Sequence, residues 1–183
     1  MRVITGSARG VRIDTLEGEA TRPTSDRVKQ ALFNMLQFDI EGRSVLDVFA
    51  GSGQLGIEAL SRGAKECVFL DSNQEAAQMV QKNLKAAKLF DKATVLTVDA
   101  IAYCKRMVDT YDIVFMDPPY ASNYIDTLLP IVAEKMNVGG TIVCETNADK
   151  ELDEKVLDFV CVKSQKYGNT RLWIYRREGK EST

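Results

Sequence analysis

Asp117-Pro118-Pro119-Tyr120 sets a carboxylate, two prolines and an aromatic ring in four consecutive positions. Consecutive prolines fix the backbone and remove two N–H donors, so the carbonyls around them stay available as acceptors. Together with the Asp117 carboxylate they suit an amine. Two acceptors can grip the N–H bonds of an exocyclic NH2 and draw its lone pair out of conjugation, towards an electrophile. Tyr120 adds a ring on which a planar base can stack, an interaction worth about 1–3 kcal/mol. Asp117, Pro118 and Tyr120 are therefore the catalytic candidates, with Pro119 in the same turn as a substrate contact. The chain contains no histidine. Ser-His-Asp and Cys-His catalysis, histidine proton shuttling and most zinc hydrolase sites are thereby excluded.

A glycine-rich turn lies further upstream. Gly51, Gly53 and Gly56 form a GxGxxG that follows the apolar run Ser44–Ala50 and opens a helix. Without side chains the backbone can turn tightly there and approach a ligand closely. Asp71 ends the next apolar run, where a carboxylate can accept from both ribose hydroxyls of an adenosine-type cofactor. Asp99-Ala100 ends the third and is placed to meet the adenine. With Asp47, Phe49, Ala50, Ser52 and Ser72 these residues make up the candidate cofactor-binding set. A nicotinamide dinucleotide is the alternative, but Asp47, four residues ahead of the first glycine, would repel its pyrophosphate. A cofactor with a cationic sulfonium and an ammonium group would be attracted instead. The cofactor inferred is S-adenosylmethionine, leaving as S-adenosylhomocysteine, with no metal.

These residues need a scaffold of alternating strands and helices. Apolar runs at Ser44–Ala50, Cys67–Leu70, Thr94–Val98, Ile113–Met116 and Thr141–Glu145 alternate with helical patterns at Gln54–Ser61, Asn73–Ala87, Ile101–Met107 and Tyr124–Lys135. Two late strands, Phe159–Ser164 and Leu172–Arg176, are joined by the turn-like Tyr167-Gly168-Asn169, too short for a crossover helix. The expectation is an α/β fold: a doubly wound, Rossmann-like, seven-stranded and mostly parallel sheet with an antiparallel C-terminal hairpin. Residues 43–177 form that core within a single domain. Residues 1–42 form an extension, a small hairpin of Val3–Thr5 and Val11–Ile13 followed by a helix. The helix has an apolar stripe of Val28, Ala31, Leu32, Met35 and Leu36 and a cap from Thr24 or Ser25. Residues 178–183 are a polar tail. Trp173 is expected in the core.

Composition adds further limits. At 45% hydrophobic and 27% charged, the chain is neither low-complexity nor wholly disordered. No apolar run approaches the roughly 18 residues of a membrane span, and the start carries no signal-peptide core. Cys67, Cys104, Cys144 and Cys161 are widely spaced, and buried reduced thiols in a cytoplasmic protein are the expectation. The net charge of −2 argues against nonspecific polyanion binding. It is uneven: +1 over residues 1–43, −7 over 44–159 and +4 over 160–183.

Asp117-Pro118-Pro119-Tyr120 resembles the (D/N)PP(Y/F) motif of class I S-adenosylmethionine-dependent amino-methyltransferases. A more specific likeness spans nearly the whole chain. Arg2-Val3-Ile4-Thr5-Gly6, Arg9-Gly10, Arg22-Pro23-Thr24-Ser25-Asp26-Arg27-Val28 and Ala31-Leu32-Phe33-Asn34 resemble the RsmD family. Phe49-Ala50-Gly51-Ser52-Gly53 and Leu55-Gly56-Ile57-Glu58-Ala59-Leu60-Ser61-Arg62 are similar to the same family's pattern. These are the bacterial 16S rRNA (guanine(966)-N(2))-methyltransferases. The resemblance implies methyl transfer to the N2 amine of one guanine in 16S rRNA, within the small ribosomal subunit or an assembly intermediate, by a monomer without membrane contact. It implies that Asp117, Pro118 and Tyr120 hold the base, and that Gly51, Gly53 and Asp71 hold the cofactor. Arg9, Arg22 and Arg27 would lie near phosphate or cofactor, with Thr24, Pro119 and Tyr124 among the substrate contacts. Three rival readings share parts of this pattern. They are an adenine-N6 nucleic-acid methyltransferase, for which no target-recognition insert is seen, a protein glutamine methyltransferase, and a cofactor- or RNA-binding module without activity.

Overall fold

A computed structural model describes residues 1–16, 25–119 and 122–177. The short apolar runs become the parallel centre of one sheet: β1 (Ser44–Asp47), β2 (Glu66–Asp71), β3 (Ala93–Thr97), β4 (Tyr111–Met116) and β5 (Met136–Asn147). Antiparallel strands β6 (Lys155–Val156), β7 (Phe159–Tyr167) and β8 (Thr170–Arg177) extend it, in the order β3-β2-β1-β4-β5-β8-β7-β6. This is the mixed, mostly parallel Rossmann-like sheet that the alternation of elements implies. It carries eight strands rather than seven, because the two-residue β6 pairs with Val160 and Phe159 and is too short to leave a periodic signal. β5 runs longer than its apolar core, since antiparallel pairing with β8 continues from Thr141 to Asn147.

Helices α1 (Asp26–Leu36), α2 (Gln54–Ser61), α3 (Gln74–Ala86), α4 (Ala100–Arg106) and α5 (Tyr124–Ala133) cover both faces. Phe33 of α1, Ile57 of α2 and Val80 of α3 pack on one face against Phe69, Phe115 and Val143. Cys104 of α4 and Leu128 and Val132 of α5 pack on the other, against Val114, Met116, Cys144 and Trp173. Trp173 is buried and donates its indole N–H to Thr146 Oγ1 at 2.9 Å. All four cysteines are unbridged, and Cys67, Cys104 and Cys144 are buried. Burial pushes the Cys67 thiol well up and that of Cys104 up to about 12, so neither is a ready nucleophile. No helix among the described residues is long and apolar enough to cross a membrane.

Gly56 explains how closely α2 lies on the sheet. A Cβ there would collide with the Phe69 ring and lie 2.8 Å from Cys67 Sγ, so only glycine fits. Ser25 caps α1, accepting from Val28 N at 3.2 Å. The buried stripe of that helix is Val28, Lys29, Leu32, Phe33 and Leu36. Lys29 and Phe33 thus join the expected Val28, Leu32 and Leu36, while Met35 packs half-buried against the same core and Ala31 is half-buried. Phe33 packs against Phe115 with ring centroids 5.8 Å apart, and Lys29 has a buried partner.

That partner is Glu58 of α2, fully buried, whose carboxylate gathers the N-terminal extension. It accepts from the backbone N–H groups of Ile4 (3.0 Å) and Thr5 (3.2 Å) and from Arg62 at 3.0 Å. Lys29 Nζ stands 3.7 Å away and donates to the Arg2 carbonyl. Burial pulls the Lys29 ammonium below its ordinary range, and Glu58 opposes that shift. The extension itself is the expected hairpin, with Val3 N donating to Val11 O, Gly10 N to Val3 O and Ile13 N to Met1 O. Removing one member of a buried ion network typically costs about 3–5 kcal/mol, because the remaining charge is left unpaired. Glu58→Ala is therefore expected to lose about that much stability in urea unfolding followed by circular dichroism. A loss below about 1 kcal/mol would show that the extension is held by its apolar contacts instead.

Candidate active site

The sheet order reverses between β1 and β4, and a cavity of 360 Å³ opens there, at the C-terminal ends of the strands. Open α/β sheets bind ligands at this switch point. The loop after β1 builds its floor. Val48 N donates to Phe115 O and Ala50 N to Leu70 O, which ties the loop to both neighbouring strands. Gly51 (φ 56°) and Gly53 (φ 86°) then adopt left-handed conformations that turn the chain into α2.

Strand-end carboxylates lock this loop. Asp47, almost fully buried, accepts from Gly56 N at 3.1 Å. Asp71 accepts from Gly51 N at 3.0 Å and from Asn73 N at 2.9 Å. Asp99 caps α4 by accepting from Ala102 N at 2.8 Å. From the other side of the loop, the buried Asn83 of α3 donates to the Ser52 carbonyl at 2.9 Å.

Most of the expected cofactor set lies in one cavity: Asp47, Phe49, Ala50, Gly51, Ser52, Asp71, Ser72, Asp99 and Ala100 all line it. Gly53 and Gly56 do not. Gly53 supplies the turn and Gly56 the packing of α2, so only the first of the three glycines borders the ligand space. From the (D/N)PP(Y/F) segment, Asp117 and Pro119 line the same cavity, with Tyr124 beside them. The Tyr124 ring meets Phe49 at 5.1 Å between centroids, closing a wall between the cofactor loop and the Asp117 turn. Pro118 is buried and faces a second, adjoining cavity, while the Pro119 carbonyl accepts from Ser122 Oγ at 2.7 Å. Tyr120, Arg22 and Thr24 lie outside the described residues.

The remaining arginines stand apart from the cavity. Arg9 is exposed in the hairpin tip, where its neighbour Ala8 donates to Ser61 Oγ, and Ser61 ends α2. The cavity lies at the other end of that helix. Arg27 is exposed on the first turn of α1 and does not line the cavity. The open end of the hairpin, not its tip, reaches the site, through Met1 and Thr15. The sequence shows the hairpin but not where it docks: its attachment runs through Glu58 and Asn83, far along the chain, so neither residue is expected at the site. Asn83 itself left a local signal: it is the polar member of the α3 stripe, between Val80 and Leu84. Its amide also receives Asp14 N (3.0 Å) and donates to Asp14 O (2.9 Å), tying the hairpin to the loop.

The charge of the cavity is one-sided. Asp47, Asp71, Asp99 and Asp117 line it, and no Lys or Arg does among the described residues. Such a lining disfavours a pyrophosphate and suits a ligand with positive charge. An adenosine carrying a sulfonium and an amino-acid ammonium fits this donor set.

Comparison with known proteins agrees. The family model described as Conserved hypothetical protein 95 matches residues 1–176. Bacillus subtilis YlbH is 42% identical over 98% of this chain and 100% of its own length. Ribosomal RNA small subunit methyltransferase D of Haemophilus influenzae is 38% identical over 83% of this chain and 81% of its own. The solved structure of Escherichia coli yhhF superposes with a TM-score of 0.84 at 28% identity, covering 98% of this chain and 99% of that one. The chain belongs to this family, the RsmD family of methyltransferases that its sequence motifs resemble.

Proposed function

We propose that the chain, as a cytoplasmic monomer, transfers a methyl group from S-adenosylmethionine to the N2 amine of one guanine in 16S rRNA of the small ribosomal subunit. The observation that carries this reading is the meeting of two parts in a single carboxylate-lined cavity: the Asp71-locked glycine loop and the Asp117-Pro118-Pro119 turn. The relatives named ribosomal RNA small subunit methyltransferase D support an rRNA substrate.

In this reading Gly51, Ser52, Asp71 and Ser72 hold the ribose and amino-acid end of the cofactor, and Asp99 and Ala100 hold the adenine. Asp47, Phe49 and Ala50 complete that wall, with Gly53 and Gly56 shaping it from behind. Asp117 and the Pro118 carbonyl accept from the guanine amine, and Tyr120 and Tyr124 flank the base. Arg9 and Arg27 meet rRNA outside the cavity, and Arg22 and Thr24 are further rRNA contacts. When bound, S-adenosylmethionine would supply a sulfonium-borne methyl group open to in-line attack by the N2 lone pair, with S-adenosylhomocysteine leaving with the C–S electron pair. The proton shed by nitrogen passes to Asp117 or to water. It becomes acidic only after methyl transfer, so Asp117 acts mainly as an acceptor that orients the amine. A stacked base hides its amine, so the guanine is flipped out, at a cost of a few kcal/mol.

Three outcomes test the proposal. Wild-type protein with labelled S-adenosylmethionine is expected to yield N2-methylguanine from unmodified small subunits or their 16S rRNA, identified by nucleoside mass spectrometry. Label in N6-methyladenine or in protein would keep the cofactor site and overturn the base assignment. Asp117→Ala should keep cofactor affinity, measured by calorimetry, within a few-fold while turnover drops by about 100-fold or more. Turnover near wild type would remove Asp117 from its role. Asp71→Ala frees the Gly51 N–H and deletes the ribose acceptor, so affinity for S-adenosylhomocysteine should weaken by about 10-fold or more. Unchanged affinity would place the cofactor elsewhere.

A further inference from the structure

One part of the cofactor cavity comes from outside the main sheet. Met1 and Thr15, at the open end of the N-terminal hairpin, line it together with the glycine loop. The hairpin has polar anchors at both ends. Near the tip, Glu58 accepts from Ile4 N and Thr5 N, and Ser61 Oγ accepts from Ala8 N at 2.9 Å. Both anchors belong to α2, and neither borders the cavity. At the open end the anchor is Asn83, buried on α3.

The Asn83 amide uses its oxygen and its NH2 group at once. Oδ1 accepts from Asp14 N at 3.0 Å, and Nδ2 donates to Asp14 O and to Ser52 O, each at 2.9 Å. The first two bonds grip the chain at Asp14 as a neighbouring strand would. The third holds the glycine loop at a residue that lines the cavity. The same helix also seats that loop by packing: a Cβ on Gly53 would stand 3.2 Å from Val80 Cγ1, so the turn rests on the helix just ahead of Asn83. The Asp14 side chain, by contrast, pairs with Lys82 at 2.8 Å where both are open to solvent, and an ion pair of that kind contributes little. The buried amide therefore decides how the open end docks.

We propose, resting on the S-adenosylmethionine site described above, that Asn83 is a positioning residue for the cofactor, holding the hairpin end and the glycine loop at one spacing. Asn83 does not line the cavity, so it acts through the two parts of the wall that it joins, Met1 and Thr15 on one side and Ser52 on the other. One side chain holding both makes their order interdependent. Cofactor bound against the loop steadies the open end of the hairpin, and loosening that end weakens the cofactor by the same factor. The tip, fixed separately by Glu58 and Ser61, stays docked in either case.

Calorimetry with S-adenosylhomocysteine is the first test. Asn83→Leu, similar in size but without the amide, is expected to weaken binding by about 10-fold or more. Asn83→Asp keeps the acceptor for Asp14 N but turns a carboxylate oxygen on two carbonyls, and should weaken binding at least as much. Lys82→Ala removes only the exposed ion pair and should stay within about 2-fold of wild type. In turnover, both Asn83 variants should raise KM for S-adenosylmethionine while kcat at saturating cofactor stays within about 3-fold; a smaller folded fraction would instead cut kcat and leave KM unchanged. Hydrogen exchange read by mass spectrometry tests the wild-type protein directly. S-adenosylhomocysteine should slow exchange in the peptide that contains Ile13 and Asp14, and should not do so in Asn83→Leu. Wild-type affinity in both Asn83 variants, a loss in Lys82→Ala as large as theirs, or a wild-type hairpin whose exchange the ligand leaves unchanged overturns the proposal. Wild-type protein that binds no S-adenosylhomocysteine overturns the cofactor reading itself, and the role of Asn83 with it.

Discussion

Carboxylates converge on one edge of the sheet, and the rest of the site depends on how the fold keeps them there. Asp47 ends β1, Asp71 ends β2, Asp99 follows β3 and Asp117 follows β4. Left to themselves, like charges lining one cavity repel. Backbone N–H groups hold them: Gly56 donates to Asp47, Gly51 and Asn73 to Asp71, and Ala102 to Asp99. These donors come from helix starts and from the glycine turn, where N–H groups have no intrahelical partner. The same bonds therefore satisfy the helix ends, fix the loop and preserve a negative cavity. A polar wall fixed in advance suits binding of a cation without reorganisation.

The N-terminal extension is the second requirement, and its attachment is polar. Glu58 receives the hairpin's backbone at Ile4 and Thr5, and Asn83 receives it at Asp14. Asn83 also holds Ser52, so the far end of the hairpin and the cofactor loop share one side chain. This is why Met1 and Thr15 line the cavity although they belong to no strand of the main sheet. Buried groups of this kind demand all their partners, and a half-made network is worse than an apolar contact. The extension is thereby held in one register over α2 and α3.

How much of this was legible in the sequence follows from the range of each signal. The glycine turn, Asp71 and Asp117 were legible because each sits at the end of an apolar run, and the end of a parallel strand is where a βαβ fold faces its ligand. Gly51 lines the cavity, whereas Gly53 and Gly56 stand behind it. GxGxxG records where side chains are forbidden, but not whether a ligand or Phe69 forbids them. Lys29 and Glu58 were hidden by their type, since neither is expected inside until its partner is known. The cavity-lining roles of Met1 and Thr15 depend on pairing across the chain, which no local pattern carries. The place of Arg9 was equally illegible: its motif says nothing of distance from the cavity, and the hairpin points its tip towards Ser61.

That displacement has a physical logic for an rRNA substrate. A cavity lined by four aspartates attracts a cationic cofactor and repels a phosphate backbone. In the proposed reaction the uncharged base enters, as a flipped nucleotide allows with its phosphates held outside. The cations that meet those phosphates must then stand away from the carboxylates they would otherwise neutralise. Arg9 meets this condition, exposed beyond the C-terminal end of the eight-residue α2, about 12 Å along the helix from the glycine turn. Arg27, exposed at the start of α1, meets it from another direction. With a net charge of only −2 and a −7 middle segment, the chain has little general attraction for RNA to fall back on. In the proposed reading, shape at the target and a few well-separated arginines do the selecting.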